Sequence, residues 1–297
     1  MKVRIGFGLG TAGLRDDERF GGLVDDLERL GFDSLWLSER ISSPTLDPVV
    51  GMAYAAGRTR QLKIGTSVLV LPGRNPALIA KELASLDRIS GGRLLLAFGL
   101  GVADPFEQQA FGVTRSERAP WFDEALPLLR RFWSEDGVYH EGPRFYYRGL
   151  SVQPKPIQSP LEVWLGGFGP STLRRIGRLG DGWLPSQITP PEAAAGRVVI
   201  EQAAAEAGRE IDPEHFGAIV VYARDEIPDA LVKTIAARRP GLDPAALVPV
   251  GLAAAREQLE RFVEAGVSKF VIRPAVEPAS WTAELEEVAA RVLPLQS

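Results

Sequence analysis

The chain has 297 residues, 45% of them apolar, a formal net charge of -4 and no cysteine. That length is enough for one large α/β barrel or two ordinary domains. Without cysteine, disulfides, thiolate nucleophiles, iron–sulfur clusters and Cys-based zinc sites are all excluded, and the small, well-mixed charge gives no footprint for nucleic acid or an anionic membrane surface.

Met1-Lys2-Val3-Arg4 leads straight into a strand-like run over 3–9 with no signal-peptide pattern, and no run of about twenty apolar residues follows. The expectation is a cytoplasmic protein. Helix one has Asp16 or Asp17 near its start, apolar residues Phe20, Leu23, Val24, Leu27 and Leu30 at helical spacing, and Gly31 at its end. Strand two, Leu35-Trp36-Leu37, ends at Ser38-Glu39-Arg40, and a helix over 49–58 follows. Strand three begins at Lys63-Ile64 and passes through Pro72-Gly73 into a helix with Asn75 as N-cap and Pro76 as first residue. Its interior carries Gly65-Thr66-Ser67, small and polar where a purely structural strand is larger and apolar. Such residues point to a bulge or to another molecule close to the backbone.

Strand four, Arg93 to Phe98, ends in Gly99-Leu100-Gly101, and after a loop helix four runs over 116–134. Residues 137–160, with Tyr139, Phe145, Tyr146 and Tyr147 and the turn Gly142-Pro143, read as a hairpin laid on the main body. Strand five is 161–165, followed by Gly166-Gly167-Phe168-Gly169-Pro170 and a helix; strand six is 182–184 with a helix over 190–207. Strand seven is 216–222. A segment over 224–251 rich in Pro, Ala and Arg precedes a helix over 253–265, strand eight over 269–273 and helix eight over 281–292. Eight strands alternating with helices predict a single-domain (β/α)8 TIM barrel over 1–297, with insertions after helix four and after strand seven.

In such a barrel function collects at the C-terminal ends of the strands. Glycine dominates there, at Gly8, Gly10, Gly99, Gly101, Gly166 and Gly167, with Ser38, Ser186 and Arg273. This suits a flat or phosphorylated ligand lying against main-chain N–H groups better than acid–base chemistry, which needs clustered carboxylates or histidines. The Gly166–Gly169 turn reads either as an anion site at a helix N-terminus or as a tight strand–helix turn, and Ser186 adds a hydroxyl donor to the first reading. Gly8-Leu9-Gly10-Thr11-Ala12-Gly13 fits the dinucleotide fingerprint with Glu39 as its acid, but the helix begins too late for that motif. Glu39 reads as one half of a structural ion pair, and Arg40 as either ligand-facing or structural. The two histidines, His140 and His215, read as a surface and a strand-edge residue. Trp36, Trp164 and Trp183 read as packing residues. Arg238-Arg239 read as a solvated face, with a role toward a long acidic cofactor tail as the alternative.

Taken together and in order, Leu35 to Glu39, Ile64 to Pro76, Lys81 to Arg93, Gly99-Leu100-Gly101, Gln153-Pro154-Lys155-Pro156, and Gly166-Gly167 through Gly180-Asp181-Gly182 resemble the luciferase-like monooxygenase superfamily of flavin and deazaflavin enzymes. The resemblance implies a barrel holding an isoalloxazine or deazaflavin ring in its mouth. It implies a non-proline cis peptide at Ser67-Val68 behind that ring, and a cofactor phosphate at Gly166, Gly167 and Ser186. On this basis the cofactor-binding residues are Ser38, Thr66, Ser67, Val68, Gly99, Gly101, Gly166, Gly167, Phe168 and Ser186, with Arg40 as the catalytic candidate. Arg40 stands where many relatives have histidine, and Val102 stands where some sugar-phosphate dehydrogenases of the family have glutamate. Thr189 lies where a phosphate-binding lysine is often found.

The resemblance implies a coenzyme F420-dependent oxidoreductase acting on a small organic substrate, which the arginine-rich composition fits: 28 arginines against 6 lysines. Its alternatives are an FMN-dependent monooxygenase fed reduced flavin by a partner, and a non-catalytic flavin- or deazaflavin-binding protein. A homodimer and a separate cofactor-reducing enzyme are the expected partners.

Overall fold

The structure, a computed structural model, describes residues 1–10 and 17–297. In chain order the elements are β1 (Arg4–Gly10), α1 (Asp17–Leu30), β2 (Ser34–Leu37), α2 (Pro48–Arg58), β3 (Lys63–Thr66), β4 (Leu69–Val70), α3 (Pro76–Ser90), β5 (Leu94–Gly99), α4 (Pro105–Phe111) and α5 (Arg118–Ser134). They continue with β6 (Val138–Glu141), β7 (Tyr146–Leu150), β8 (Val163–Leu165), α6 (Pro170–Leu179), β9 (Gly182–Trp183), α7 (Pro190–Glu206), β10 (Gly217–Tyr222), α8 (Asp229–Arg238), α9 (Leu252–Glu264), β11 (Lys269–Pro274) and α10 (Trp281–Val292).

The helix starts follow the local chemistry of the sequence. Asn75 Oδ1 accepts from the N–H groups of Ala77 and Leu78 at 2.9 and 3.3 Å, with Pro76 in the first turn. Asp47 does the same for α2, accepting from Val49 and Val50. Residues 11–16 lie outside the described part, and with them the Asp16 start and the Thr11–Gly13 half of the dinucleotide fingerprint.

The strands pair parallel in the order β10-β11-β1-β2-β3-β5-β8-β9, with β4 also on β5. Bridges between Trp183 and Phe216 and between Ser186 and Ile219 join the two ends. The sheet thus closes on itself as a (β/α)8 TIM barrel. Outward-facing Ile5, Phe7, Leu35 and Leu37 join the large core under the helices, whereas Trp36, Ala97, Trp164, Leu184 and Val271 form a second cluster inside the barrel. Trp183 belongs to the outer core, so all three strand tryptophans are packing residues, as their setting in strands suggested.

Gly65 has a different explanation from a nearby ligand. A β-carbon there would stand 2.7 Å from Trp36 Cε3, so the strand is small at this point because an indole fills the barrel interior beside it. Gly8 likewise leaves room for Val271, whose Cγ1 lies 2.8 Å from the position a β-carbon would take.

Both insertions are present. The β6–β7 hairpin is antiparallel and is held to the body by Lys81 Nζ donating to Gln153 O at 2.8 Å and by Trp121 packing edge-on against Phe145. The second insertion, after β10, contains α8 and a short 3-10 turn at Pro244–Ala246, which the Pro-, Ala- and Arg-rich composition had hidden. The loop expected over 102–115 also contains a helix, α4, whose seven residues are too few to show a periodicity. Among the described residues no helix is long and apolar enough to cross a membrane.

Candidate active site

Strand three breaks between β3 and β4, and the peptide Ser67-Val68 at the break is cis, as the resemblance implied. The end of β2 fastens it. Ser67 N donates to Leu37 O at 2.8 Å, Ser38 Oγ donates to Ser67 O at 2.8 Å, and Glu39 N donates to Val68 O at 3.1 Å. Glu39 then reaches past the break: its carboxylate accepts from Val70 N at 2.7 Å and pairs with Arg74, whose Nε donates to Val70 O. The Glu39 side chain is 3% exposed. Burial pushes its carboxyl above the ordinary value, against the opposing pull of Arg74 and the Val70 N–H. Its role is the structural ion pair that the sequence suggested.

Over this break lies a cavity of about 510 Å³ at the C-terminal ends of the strands. It brings together Ser38, Arg40, Ser67, Val68, Gly99, Gly101, Gly166, Gly167 and Ser186, nine of the predicted site residues. Two others fall elsewhere. Thr66 is fully buried, and its Oγ1 donates to Ala97 O and accepts from Ala97 N, each at 2.9 Å. It replaces ladder hydrogen bonds where β3 parts from β5, so it supports the site from behind. Phe168 is 40% exposed and lies outside the lining, under the guanidinium of Arg239, 4.9 Å from its ring centroid.

Arg239 is therefore not a solvated residue: it donates to Gln187 O and pairs with Glu192, with a side chain 12% exposed. Its neighbour Arg238 does line the cavity and is exposed.

Two charged lining residues, Glu107 and Arg118, went unseen in the sequence. Glu107, on α4, is buried and accepts from Ile41 N at 3.0 Å, Ser42 N at 2.8 Å and the Ser42 hydroxyl. Burial pushes its carboxyl upward, but these donors together with Arg40 outweigh that and hold it below the ordinary value. Arg40 is held between Asp104 at 3.3 Å and Glu107 at 3.6 Å. Arg118, at the start of α5, donates from Nη1 to the carbonyls of Leu100, Gly101 and Val102 and so shapes the turn after β5; its buried Nε has no partner. The Asp104-Pro105 pair was the available signal for α4, since Asp104 Oδ1 caps it by accepting from Phe106 N at 2.9 Å. Nothing in the sequence marks Arg118.

Opposite these, α6 opens at Gly169 and Pro170 with no side-chain cap, unlike α2 and α3. Gly167 has φ +93°, and its carbonyl accepts from Trp183 Nε1 at 2.7 Å. Thr172, also in the lining, is on the first turn of α6. Uncapped amides, a hydroxyl and the positive end of a helix at one edge of a cavity make an anion-receptive surface.

A closed parallel barrel with a glycine-walled cavity at its strand ends, and no lining carboxylate or histidine free of partners among the described residues, defines a class of protein that positions a ligand rather than one built for acid–base catalysis. The luciferase-like monooxygenase family model matches residues 4–291, and the chain belongs to that family of oxidoreductases. An F420-dependent glucose-6-phosphate dehydrogenase of Kineococcus radiotolerans is 32% identical over 167 residues, covering 53% of this chain; the match spans only 49% of that relative's length. Among solved structures, an F420-dependent secondary alcohol dehydrogenase in complex with an F420-acetone adduct superposes with a TM-score of 0.83 at 20% identity, covering all of both chains. The oxygenating constituent of 3,6-diketocamphane monooxygenase of Pseudomonas putida, in complex with FMN, superposes with a TM-score of 0.78 at 19% identity over 100% of this chain and 99% of its own. At these identities the structural likeness establishes the fold.

Proposed function

We propose that the protein is a coenzyme F420-dependent oxidoreductase that passes a hydride between the deazaflavin and a small organic substrate. The observation that carries this reading is the cavity built over the Ser67-Val68 break, where Val68, Gly99 and Gly166 form one wall and the uncapped start of α6 stands beside it. The residues fit such a group. Glycine at 99 and 166 keeps the wall beside Val68 low, and Gly167, Thr172, Ser186 and the first amides of α6 offer donors for a phosphate.

When bound, the deazaflavin supplies or accepts the hydride. The chain's part is to hold, orient and exclude water. Ser38 and Glu39 fix the carbonyls of Ser67 and Val68 from one side. Arg40, gripped by Asp104 and Glu107, is the residue placed to orient or polarise the substrate. Because Glu39 and Glu107 are both engaged, the accompanying proton is exchanged with water at the cavity mouth. The enzyme so proposed is cytoplasmic, works as a homodimer and relies on a separate enzyme to reset the redox state of its cofactor.

The similarity to F420-dependent relatives favours this cofactor over FMN, which the monooxygenase neighbour carries. Titrating the protein with F420 and with FMN decides between them. Deazaflavin binding at least about tenfold the tighter, equivalent to about 1.4 kcal/mol, is expected. The reverse order overturns the reading in favour of a flavin monooxygenase. Tight binding without turnover of an enone, alcohol and aldehyde panel reduces the protein to a cofactor carrier.

A further inference from the structure

Arg273, at the C-terminal end of β11, is a partly buried cation that nothing in the proposed chemistry uses. Other arginines withdrawn from solvent have an evident partner: Arg40 has Asp104 and Glu107, Arg74 has Glu39, Arg118 has three carbonyls and Arg239 has Glu192. Among the described residues Arg273 makes no hydrogen bond and no ion pair, while its guanidinium nitrogens are not sealed from solvent. A guanidinium partly withdrawn from water loses hydration that no protein partner replaces, and burial lowers its pKa with no opposing contribution.

The backbone around it leaves space for this side chain. A β-carbon on Gly10 would stand 2.6 Å from Arg273 Nη1, and one on Gly8 would stand 3.9 Å from its Cδ. Gly10 also has φ +65°, a conformation that favours glycine. Arg273 and Gly10 lie outside the lining of the large cavity, in small pockets that each share a residue with it. Ile219 borders both that cavity and the small pocket containing Arg273, and Ser38 borders both the cavity and the pocket containing Gly10.

We propose that Arg273 anchors an oxyanion of the substrate, a carboxylate or a phosphate, while the reacting part of the molecule lies over Val68. This names a substrate class for the cavity and rests on reading it as the reaction site. An oxyanion accepts two parallel N–H bonds from a guanidinium and supplies the charge that the protein does not provide there.

The test uses the full chain without cofactor, with benzoate as probe and benzamide as its neutral counterpart, followed by ligand-observed NMR. Wild type is expected to bind benzoate about tenfold more tightly than benzamide. Arg273→Gln is expected to lose that preference, Arg273→Lys to keep part of it, and Arg261→Gln, an exposed position on α9 outside the cavity lining, to keep all of it. In wild type, the Arg273 Nε–H resonance, assigned by its absence from the Arg273→Lys spectrum, is expected to shift with benzoate and not with benzamide. The resonance reads the contact even where Arg273→Gln fails to fold. No preference in wild type, a preference that survives Arg273→Gln, or an unmoved Nε–H resonance overturns the proposal. Since no cofactor is present, such a result leaves the deazaflavin reading standing, and failure of the deazaflavin titration leaves this measurement readable.

Discussion

Val68 Cγ1 lies 2.9 Å from where a β-carbon on Gly166 would stand, and its Cγ2 lies 2.6 Å from the same point on Gly99. The valine at the strand break is thus seated between two glycines from neighbouring strand ends, and glycine at both positions makes room for protein as well as for ligand. Adding a methyl at either position overpacks this contact, which costs about 1–3 kcal/mol. Gly99→Ala and Gly166→Ala are each expected to lower the urea midpoint and weaken deazaflavin binding. Adding Val68→Ala to Gly99→Ala is expected to recover part of the stability, a coupling that a double-mutant cycle measures. Strictly additive losses would show that Val68 and Gly99 do not interact.

Thr66 was expected at the cofactor, and its position behind the wall gives a different outcome. Its hydroxyl is the partner of both Ala97 N and Ala97 O. Thr66→Val leaves two buried backbone groups unpaired, at about 1–3 kcal/mol each, whereas Thr66→Ser keeps the hydroxyl. Denaturant unfolding is expected to separate the two variants clearly, and deazaflavin affinity of Thr66→Ser is expected to match wild type. Weakened binding in the serine variant would restore Thr66 to the ligand.

Some of this was legible in the sequence and some was not. Asn75-Pro76 and Gly91 mark both ends of α3, because caps and left-handed turns are local and depend on residue type. The alternation of strand and helix gives the barrel, which brings the glycines of β5 and the β8–α6 turn to one cavity. The irregularity expected in strand three is present at Ser67-Val68, but the smallness of Gly65 itself answers to Trp36 on another strand, and packing between strands leaves no mark in the spacing of either one. Phe168 was misplaced for a related reason: Arg239, which covers it, is 71 positions away in the chain. Glu107 and Arg118 act on backbone groups of other loops, and such contacts have no residue pattern to read.

Glu107 ties α4 to the loop after β2 through the N–H groups of Ile41 and Ser42. Replacing it with glutamine removes the charge that these donors and Arg40 stabilise, at an expected cost of about 1–3 kcal/mol. The specific signature is local. Amide exchange at Ile41 and Ser42 is expected to quicken in Glu107→Gln while the β-strands keep their protection. Unchanged exchange at those two amides would show that the loop is held by something else.

Glu39 gives a pH dependence of the less common sign for a carboxylate. Burial raises its pKa in the folded chain above the unfolded value near 4.5, in spite of Arg74. The folded state therefore binds this proton more tightly than the unfolded state does. Its stabilising contribution is complete below the unfolded value and is lost as pH rises through the folded one. Relative to Glu39→Gln, which does not titrate, wild type is expected to gain stability as the medium is taken from about pH 7 to about pH 5. Urea midpoints of both proteins at the two pH values measure it, and a difference that shrinks on acidification would mean that Arg74 outweighs burial.

Arg40 is the remaining candidate for a direct part in turnover. Its pair with Asp104 is partly exposed on both sides, 28% and 33%, and contributes at most about 1 kcal/mol to stability, while Glu107 keeps its donors at Ile41 and Ser42 without it. Folding is therefore the wrong readout. What the two carboxylates do is fix the direction of the guanidinium over the cavity, and a lysine ammonium cannot meet both of them with the same planar fork. Arg40→Lys is expected to lower kcat/KM by about tenfold and Arg40→Met by about a hundredfold, each factor of ten being about 1.4 kcal/mol of transition-state stabilisation. Deazaflavin affinity is expected to stay within about twofold in both, because the wall at Val68, Gly99 and Gly166 is untouched. Equal kcat/KM in wild type and Arg40→Met, on an accepted substrate, would assign Arg40 to holding Asp104 and Glu107 in place and nothing more.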